Sequence, residues 1–351
     1  MTDTMLAVRF EAWGERARLR EIPIPEPGPE GVLLEVMAAG ICHSDLHVEE
    51  SPPGRLPFSL PFTLGHEVAG TVVAVGDDAD PDWIGRAVVV HGIWGCGACR
   101  RCRAGRENYC LDRRPAIGNG LGYDGGLAEF MAVPSTRYLV PADGLDPVQA
   151  APLTDAALTA YHALKPFLPE LDAESRALVI GAGGLGHFAV QLLAQTSARI
   201  VVVDPKQAAR ELASELGAHE TLPDLKAVAR TAVTPTSRFD AVFDFVAAES
   251  TMGAAVSLLA PGGSVRVVGG AGGVLPVGKD LGLAQGWSVS APFWGPKPDL
   301  EAVVELARAG RLHAHTETFS LTEAIEAYDR LRSGEIRGRA VVIPATMTSR
   351  A

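Results

Sequence analysis

The order of apolar and polar residues divides the chain into two kinds of region. Up to about residue 150, short apolar stretches alternate with glycine and proline, as in GVLLEVMAAG (31–40), VAGTVVAVG (68–76) and RAVVV (86–90). Short apolar or alternating runs bounded by such turn residues are typical of β-strands. The first region is therefore predicted to be rich in strands.

From about residue 156, apolar runs of strand length alternate with longer stretches of helical character. The predicted strands are ALVI (177–180), RIVVVD (199–204), FDAVFDFV (239–246) and SVRVVGG (264–270). The predicted helices between them are HFAVQLLAQTSA (187–198) and a stretch near 206–217. This alternation indicates a parallel sheet with crossover helices. Beyond about residue 290, the pattern predicts helices over 299–310 and 321–333 and a closing strand, RAVVIP (339–344).

Composition and charge narrow the class of protein. A chain of 351 residues exceeds the usual size of one domain, and 47% hydrophobic and 21% charged residues are typical of a globular protein. The formal net charge of −11, without a basic tract, argues against nucleic acid and anionic membranes as partners. No apolar run is long enough to span a bilayer, and MTDTMLAVRF lacks the features of a secretion signal. A cytoplasmic location is expected, where thiols stay reduced.

Four of the five cysteines lie in one stretch, CGACRRCRAGRENYC (96–110). The C-x2-C-x2-C-x7-C spacing of Cys96, Cys99, Cys102 and Cys110 is typical of a tetrahedral zinc site with no open position for substrate. The glycines that would ease the turns of this loop are Gly95, Gly97 and Gly105. Reduced surface thiols are the alternative, although scattered cysteines do not usually recur every third residue. The spacing therefore predicts a structural zinc that stabilises a loop with little core of its own.

The stretch GAGGLG (181–186) predicts a dinucleotide-binding loop. It follows the strand ALVI and opens a helix, and its G-x-G-x-x-G glycines are Gly181, Gly183 and Gly186, with Gly184 and Leu185 between them. Such a loop lets the pyrophosphate approach the backbone at a helix N-terminus. Asp204, about 20 residues further on, is expected to accept hydrogen bonds from the adenosine ribose and to repel a 2′-phosphate. NAD is therefore favoured over NADP, although Lys206 keeps NADP open as an alternative.

Together with these motifs, the chain resembles the zinc-dependent medium-chain alcohol dehydrogenases along nearly its whole length. The matching stretches are GICHSDLH, LGHEVAG, CGACRRCRAGRENYC, APLTDAALTAYHAL, VIGAGGLGH, VVVD, LLAPGGSVRVVGG and GEIRGRAVVIP. The resemblance is closest to bacterial NAD-dependent secondary-alcohol dehydrogenases, through PLTDA, HTETFSL and the Trp294–Gly295 pair.

The resemblance implies an α/β fold of two domains. A GroES-like, β-rich catalytic domain with both zinc sites is expected over residues 1–155. A Rossmann domain, with a doubly wound parallel sheet that binds NAD, is expected over 156–289. Residues 290–351 would return to the catalytic domain and supply a tail that contacts the cofactor. Family members are usually homo-oligomers, either dimers or tetramers, and many bacterial members are homotetramers.

The resemblance also implies a second, catalytic zinc. Taken alone, Cys42 and His66 lie 24 residues apart and make a weak ligand pair. The family places its catalytic ligands at these two positions, and often uses a third cysteine where this chain has Asp155. A thiolate and a carboxylate balance the charge of Zn²⁺ as two thiolates would, and the harder oxygen donor should leave the metal more electrophilic. As an alternative, Asp155 only caps the helix that begins nearby. Glu67 is expected to approach the metal when substrate is absent.

The family carries the substrate proton away from this zinc through a relay. Ser44, two residues past the cysteine ligand, would accept the proton, which then passes over the cofactor ribose to His47. Asp45 would orient His66 and set its tautomer. His47 has an alternative interpretation as an ordinary solvated histidine.

Further cofactor contacts are implied by the resemblance alone. Thr159 would contact the nicotinamide side, and Arg339 would pair with the pyrophosphate. His43 stands where some relatives have a basic residue that reaches the pyrophosphate. The residues that would line the nicotinamide end are Val246, Val268 and Gly269.

Phe293 and Trp294 lie where relatives have bulky apolar walls near the zinc, although two adjacent aromatic residues are also consistent with a core. An apolar pocket anchored by one metal suits small or medium-sized hydrophobic alcohols and ketones. The predicted function is therefore zinc-dependent oxidation of alcohols with NAD. The alternatives are a polyol, formaldehyde-type or biosynthetic dehydrogenase, and a non-enzymatic NAD-binding or metal-storage protein.

Overall fold

The computed structural model of the protein describes residues 3–112, 115–278 and 284–344. The strands are β1 (Thr4–Phe10), β2 (Arg18–Pro23), β3 (Val32–Ile41), β4 (Phe62–Thr63), β5 (Glu67–Val75), β6 (Ala87–Val90), β7 (Gly118–Asn119), β8 (Gly122–Tyr123), β9 (Phe130–Val133), β10 (Leu139–Pro141), β11 (Arg176–Ile180), β12 (Arg199–Val203), β13 (Glu220–Leu222), β14 (Phe239–Asp244), β15 (Leu259–Val267), β16 (Ser288–Ser290), β17 (Thr316–Ser320) and β18 (Arg339–Ile343). The helices are α1 (His43–Glu49), α2 (Arg100–Arg103), α3 (Pro147–Ala150), α4 (Ala156–Leu164), α5 (Gly186–Leu193), α6 (Gln207–Glu215), α7 (Leu225–Thr231), α8 (Glu249–Ser257), α9 (Lys297–Arg308) and α10 (Ala324–Ser333).

The chain folds into two compact units. The first comprises Met1–Asp155 and Pro296–Ala351, so that both ends of the chain contribute to it, and the second comprises Ala156–Gly295. Each unit has its own sheet and its own buried apolar side chains.

The first unit is built largely from antiparallel strands. Its largest sheet has the order β10-β6-β5-β3-β18-β17, with β9 also paired to β3, and a smaller sheet has the order β2-β1-β4. The long central strand β3 runs antiparallel to both of its neighbours β5 and β18. The end of β3 and the beginnings of β5 and β18 therefore meet at one edge of the sheet. The candidate functional site of the first unit, described below, lies at this edge.

The second unit is a parallel sheet with helices in its crossovers. The strand order is β13-β12-β11-β14-β15-β16, and every pair is parallel. The order reverses between β11 and β14, which is the topological switch point where such folds bind nucleotides. The central strands are nearly continuous apolar runs because helices cover them, and their side chains form one buried cluster with those of α7 and α8.

The strands predicted by apolar runs are observed within one or two residues of the expected bounds, except for β15, which begins five residues earlier, at Leu259, and ends three residues earlier, at Val267. Helix α5 ends at Leu193 rather than near 198, where the Thr196 hydroxyl donates a hydrogen bond to the Leu193 carbonyl at 2.7 Å. The edge strands β13 and β16 were not evident from the sequence. Each has only three partly polar residues, and its pairing depends on the neighbouring strand. Among the described residues, no helix combines the length and apolar character needed to cross a bilayer.

Candidate functional site

Three predicted ligands of a catalytic metal meet in the first unit. Cys42 directly follows β3, His66 directly precedes β5, and Asp155 follows the short 3-10 helix Ala151–Thr154, which packs against β3, β5 and β18. The Asp155 Oδ2 atom lies 3.6 Å from Cys42 Sγ and 3.4 Å from His66 Nε2. All three side chains are buried.

These distances fit the donor set of a zinc site. Zinc bonds of roughly 2.3 Å to sulfur and 2.0–2.1 Å to nitrogen or oxygen, in tetrahedral geometry, put sulfur and oxygen about 3.5 Å apart and nitrogen and oxygen about 3.3 Å apart. The ligand atoms of the three residues all lie within 4.8 Å of one another. The alternative role of Asp155, as a helix cap, does not by itself account for its approach to a thiol and an imidazole.

Asp45 connects two of these three residues. Its Oδ2 accepts the backbone N–H of Cys42 at 3.0 Å, and its Oδ1 lies 3.1 Å from His66 Nδ1. A carboxylate at Nδ1 holds the imidazole in the tautomer that leaves Nε2 as the metal-binding nitrogen. Burial disfavours the charged imidazole, but Asp45 and Asp155 raise the pKa of His66 well above its ordinary value. Metal binding at Nε2 must therefore displace a proton.

Glu67 and Arg339 form a buried ion pair beside this cluster. Arg339 Nε lies 2.8 Å from Glu67 Oε2 and Arg339 Nη2 lies 2.7 Å from Oε1, while Nη2 also lies 3.4 Å from Asp155 Oδ2. Glu67 faces Gly40 across the β3–β5 pairing, and a Cβ on Gly40 would lie only 1.9 Å from Glu67 Oε2. Glycine is therefore required at position 40. The expected contact of Arg339 with pyrophosphate stays a prediction.

Helix α1 carries the residues of the predicted proton relay. Ser44 Oγ lies 3.6 Å from Cys42 Sγ, at the start of the helix. His47 is exposed and lies three residues further on, so that it shares a helix face with Ser44. His43, a predicted pyrophosphate contact, is also exposed. Their roles in catalysis stay predictions.

The four clustered cysteines also converge. The distances from Cys96 Sγ to Cys102 Sγ and from Cys99 Sγ to Cys110 Sγ are both 3.9 Å, close to the roughly 3.8 Å that tetrahedral Zn–S bonds would impose. Backbone N–H groups of Leu111 and Cys102 lower the pKa of the Cys99 thiol to about 6. Burial raises the pKa of Cys102 to about 12, so the Cys99 and Cys102 thiols do not ionise alike.

Glycines shape this cysteine loop in two ways. Gly97 and Gly105 have φ angles of +77° and +65°, which favour glycine. Gly95 lacks such an angle, but a Cβ there would lie 2.9 Å from Cys102 Sγ. The loop is also tied to α9, because Glu107 Oε1 accepts the Lys297 backbone N–H at 2.9 Å.

The predicted dinucleotide loop lies at the carboxyl end of β11 in the second unit. Gly181 has a φ angle of +87°, and a Cβ on Gly186 would lie 1.9 Å from the Gly181 carbonyl oxygen. Asp204 follows β12 and accepts the backbone N–H groups of Ala182 at 2.9 Å and Lys206 at 2.8 Å. These contacts hold the carboxylate beside the loop, while each oxygen keeps a lone pair for another donor.

The remaining predicted cofactor and pocket residues lie in the second unit. Thr159 is buried on α4, Val246 lies two residues after the end of β14, and Val268–Gly269 directly follow β15. Trp294 is 8% exposed and Phe293 is 44% exposed, with their rings edge to face at 6.4 Å. Trp294 has a φ angle of +51°, which is rare for a bulky residue.

Two buried polar residues, one in each unit, were missed by the sequence analysis. Asp244 ends β14 and has no exposed surface, and its only sequence signal is an aspartate that closes an apolar strand. Tyr328 on α10 is 2% exposed, and burial together with Asp45 and Glu49 raises its pKa well above the ordinary value. Its sequence signal, one tyrosine in an amphipathic helix, does not distinguish it from a core residue.

Comparisons with known proteins agree with this architecture. Residues 28–144 match the alcohol dehydrogenase GroES-like domain, and residues 184–309 match the zinc-binding dehydrogenase family. An NAD-dependent alcohol dehydrogenase from Saccharolobus solfataricus is 36% identical over 97% of this chain and 100% of that protein. A D-arabinose 1-dehydrogenase (NADP(+)) from the same organism is 33% identical over 96% of this chain and 97% of that protein.

A solved structure shares the fold. The acetophenone reductase from Geotrichum candidum, solved in complex with NAD, has a TM-score of 0.86 and 33% sequence identity, over 98% of each chain. The chain belongs to the zinc-dependent medium-chain alcohol dehydrogenase family, which is a family of oxidoreductases. The predicted GroES-like and Rossmann fold class is thereby confirmed.

Proposed function

We propose that this protein catalyses the reversible oxidation of an alcohol to a ketone or aldehyde, with hydride transfer to NAD. The observation that carries the proposal is the approach of Cys42, His66 and Asp155 to one another at zinc-site distances in a buried cluster. The dinucleotide-binding loop of the second unit provides the site for the hydride acceptor.

The side chains of the cluster have complementary tasks. Zinc, when bound, supplies a Lewis acid that makes the hydroxyl of an alcohol more acidic. The Cys42 thiolate and the Asp155 carboxylate balance its charge, and His66 is held in the required tautomer by Asp45. Ser44 would accept the proton of the substrate hydroxyl, and the proton would then pass over the cofactor ribose to exposed His47 and from there to solvent. Glu67, which is paired with Arg339, is proposed to approach the metal when substrate is absent.

The proposed substrates are secondary or medium-sized hydrophobic alcohols and the corresponding ketones. The similarity to an acetophenone reductase supports this class, and Phe293 and Trp294 are the proposed apolar walls. We propose two zinc ions per chain, one catalytic and one held by the four clustered cysteines. We also propose a homo-oligomer, a tetramer or a dimer, located in the cytoplasm. Sedimentation analysis at several protein concentrations tests the assembly.

A sugar or polyol substrate is the second candidate, because a D-arabinose dehydrogenase is among the relatives. The name of that relative gives NADP as its cofactor, whereas the Asp204 carboxylate of this chain would repel a 2′-phosphate. The two candidate substrate classes are distinguished by measuring kcat/KM for 1-phenylethanol, 2-butanol, ethanol and D-arabinose, each with NAD and with NADP. We expect the highest kcat/KM for a secondary alcohol with NAD. A preference for D-arabinose would favour the second candidate.

The variant Asp155→Ala tests the metal site directly. We expect elemental analysis to give two zinc ions per chain in the wild type and one in the variant, with turnover reduced about 10³-fold or more, because the reaction loses its Lewis acid. Asp155→Cys, which restores the ligand common among relatives, should recover zinc and part of the turnover. Full activity with undiminished zinc in Asp155→Ala would refute the assignment.

A further inference from the structure

Asp244 lies at the carboxyl end of a central strand of the parallel sheet, where burial of its charge is energetically costly. It is the last residue of β14, and β14 pairs with β11 and β15 on either side of the topological switch point. Its relative exposure is 0%. A carboxylate in such a position persists only when hydrogen-bond donors surround it.

The donors come from the loop that follows the same strand. Asp244 Oδ1 accepts the backbone N–H groups of Val246 at 2.9 Å and Ala247 at 2.8 Å. Its Oδ2 accepts the hydroxyl of Thr251, on α8, at 2.7 Å. The Asp244 carboxylate therefore holds together the turn between β14 and α8.

The backbone of Asp244 holds a second loop. Its carbonyl oxygen accepts the N–H groups of Val268 at 2.8 Å and Gly269 at 3.0 Å, just after β15. One residue thus ties together Val246, Val268 and Gly269, which are the three residues proposed to line the nicotinamide end of the cofactor.

The loop after β14 is also strained and tightly packed. Ala247 has a φ angle of +54°, a backbone conformation that a residue with a Cβ rarely adopts, so the surrounding contacts must hold it there. A Cβ on Gly181 would lie 2.8 Å from Val246 Cγ2, and a Cβ on Gly269 would lie 2.4 Å from the Val246 carbonyl carbon. Val246 therefore lies between the dinucleotide loop and the loop after β15, and a small movement of it disturbs both.

We propose that Asp244 is a positioning residue for the nicotinamide half of NAD. This inference rests on the proposed function, because it requires that the second unit binds NAD. An ionised carboxylate only accepts hydrogen bonds, and all three of its partners here donate. Asparagine has the same shape but replaces one acceptor oxygen with an NH₂ group. That group would either face the N–H groups of Val246 and Ala247 or turn the proton of the Thr251 hydroxyl away to the Ala248 carbonyl, at 3.1 Å. In both cases the negative charge that attracts all three donors is lost, so the strained turn is held less firmly.

The test compares two ligands that differ only by the nicotinamide ring. For Asp244→Asn, we expect the Kd of NADH to rise about tenfold or more, because a small displacement of a positioned group has a large effect. We expect the Kd of ADP-ribose to change less than about threefold, since the adenosine side depends on Asp204 and the dinucleotide loop. Both constants are measured by titration calorimetry on the full-length protein.

Asp240→Asn is the matched control. Asp240 lies on the same strand and also accepts a backbone N–H, that of Arg176 at 2.8 Å, but at the opposite end of the sheet. We expect it to change neither Kd by more than about twofold, which is the behaviour of a distant independent site. If Asp244→Asn weakened NADH and ADP-ribose equally, or neither, the inference would be overturned.

A second pair of variants decides the matter if Asp244→Asn does not fold. Thr251→Val keeps the shape of the side chain but removes the hydroxyl, which donates to Asp244 and accepts the Ala248 backbone N–H, whereas Thr251→Ser keeps the hydroxyl. We expect the selective loss of NADH affinity in Thr251→Val and its recovery in Thr251→Ser. Equal NADH affinities of these two variants would overturn the inference. Failure of the wild type to bind NADH would instead refute the proposed function.

Discussion

Arg339 and Glu67 form a bidentate ion pair between residues 272 positions apart in the sequence. The two N···O distances are 2.8 and 2.7 Å, and both side chains are buried beside the proposed catalytic metal site. Burial raises the pKa of Glu67 to about 7, even though Arg339 favours its charged form. The ion pair therefore compensates charges that would otherwise be costly to bury.

Removing one partner of the Glu67–Arg339 ion pair should destabilise the protein more than removing both partners. For Arg339→Met we expect the free energy of unfolding to fall by about 3–5 kcal/mol, because buried carboxylates are left without a counter-charge. The double variant Glu67→Gln with Arg339→Met should recover part of this loss. Urea unfolding measures all three values. Arg16→Met breaks an exposed ion pair to Asp329 and serves as the control, with an expected change within about 1 kcal/mol. An equally small change for Arg339→Met would contradict the prediction.

Asp45 should control zinc affinity without binding zinc. Because it holds both Cys42 and His66, we expect Asp45→Asn to weaken the catalytic site for zinc by roughly 10–100-fold. Chelator competition followed by zinc analysis measures the affinity of each site. The four-cysteine site in the same chain is the internal control and should keep its affinity. A parallel loss at both sites would point to general unfolding instead.

Loss of the structural zinc should loosen the beginning of α9. For Cys102→Ser we expect one zinc fewer per chain and faster amide exchange at the first turn of α9, because Glu107 would no longer be held against Lys297. Hydrogen-exchange mass spectrometry measures this effect, and α10 should exchange as in the wild type. Unchanged exchange at Lys297–Arg308 after zinc loss would show that the loop does not support the helix.

Substitution by alanine should have different effects at two glycines of the dinucleotide loop. A Cβ on Gly186 would lie 1.9 Å from the Gly181 carbonyl oxygen, whereas a Cβ on Gly183 would meet no atom within 4 Å. Gly186→Ala should therefore lower the Tm of the protein without NAD. Gly183→Ala should leave that Tm nearly unchanged and weaken NADH binding, because its Cβ would stand where the pyrophosphate approaches. Thermal unfolding with and without NADH tests both variants, and unimpaired NADH binding by Gly183→Ala would place the pyrophosphate elsewhere.

Glu49 should make stability depend on pH. It accepts the Ala17 backbone N–H at 2.7 Å and pairs with Arg332 at 2.6 Å, but burial raises its pKa above the ordinary 4.5. The folded protein therefore binds this proton more tightly than the unfolded chain, and the associated stability is present below pH 4.5 and lost as pH rises through the folded pKa. The Tm of the wild type should thus fall relative to that of Glu49→Gln as pH rises above 4.5.

The control for this pH series is Glu50→Gln, which changes an exposed neighbour. Its Tm should follow that of the wild type across the same range. A Tm difference between wild type and Glu49→Gln that is constant, or that grows in favour of the wild type with rising pH, would contradict the prediction.

Much of the fold was predictable because its signals are local. The apolar runs that became β11, β12 and β14 carry strand character over four to eight residues, and helix periodicity marked α6, α9 and α10. The edge strands β13 and β16 carry too little of that signal, since their pairing partners, not their own residues, define them. The end of α5 likewise depended on a side-chain hydrogen bond that composition does not reveal.

The sequence by itself determined whatever depends on near neighbours along the chain. The four cysteines at 96–110 and the glycines at 181–186 must lie close together, because the chain between them is short. Only the tertiary structure decided that Asp155 approaches Cys42 and His66, and that Arg339 lies against Glu67. The antiparallel pairing of β3 with β5 and β18 brings Cys42, His66, Glu67 and Arg339 together, and the 3-10 helix Ala151–Thr154, which packs against these strands, brings in Asp155. Strand pairing of this kind depends on packing across the whole unit, so no short stretch of sequence encodes it.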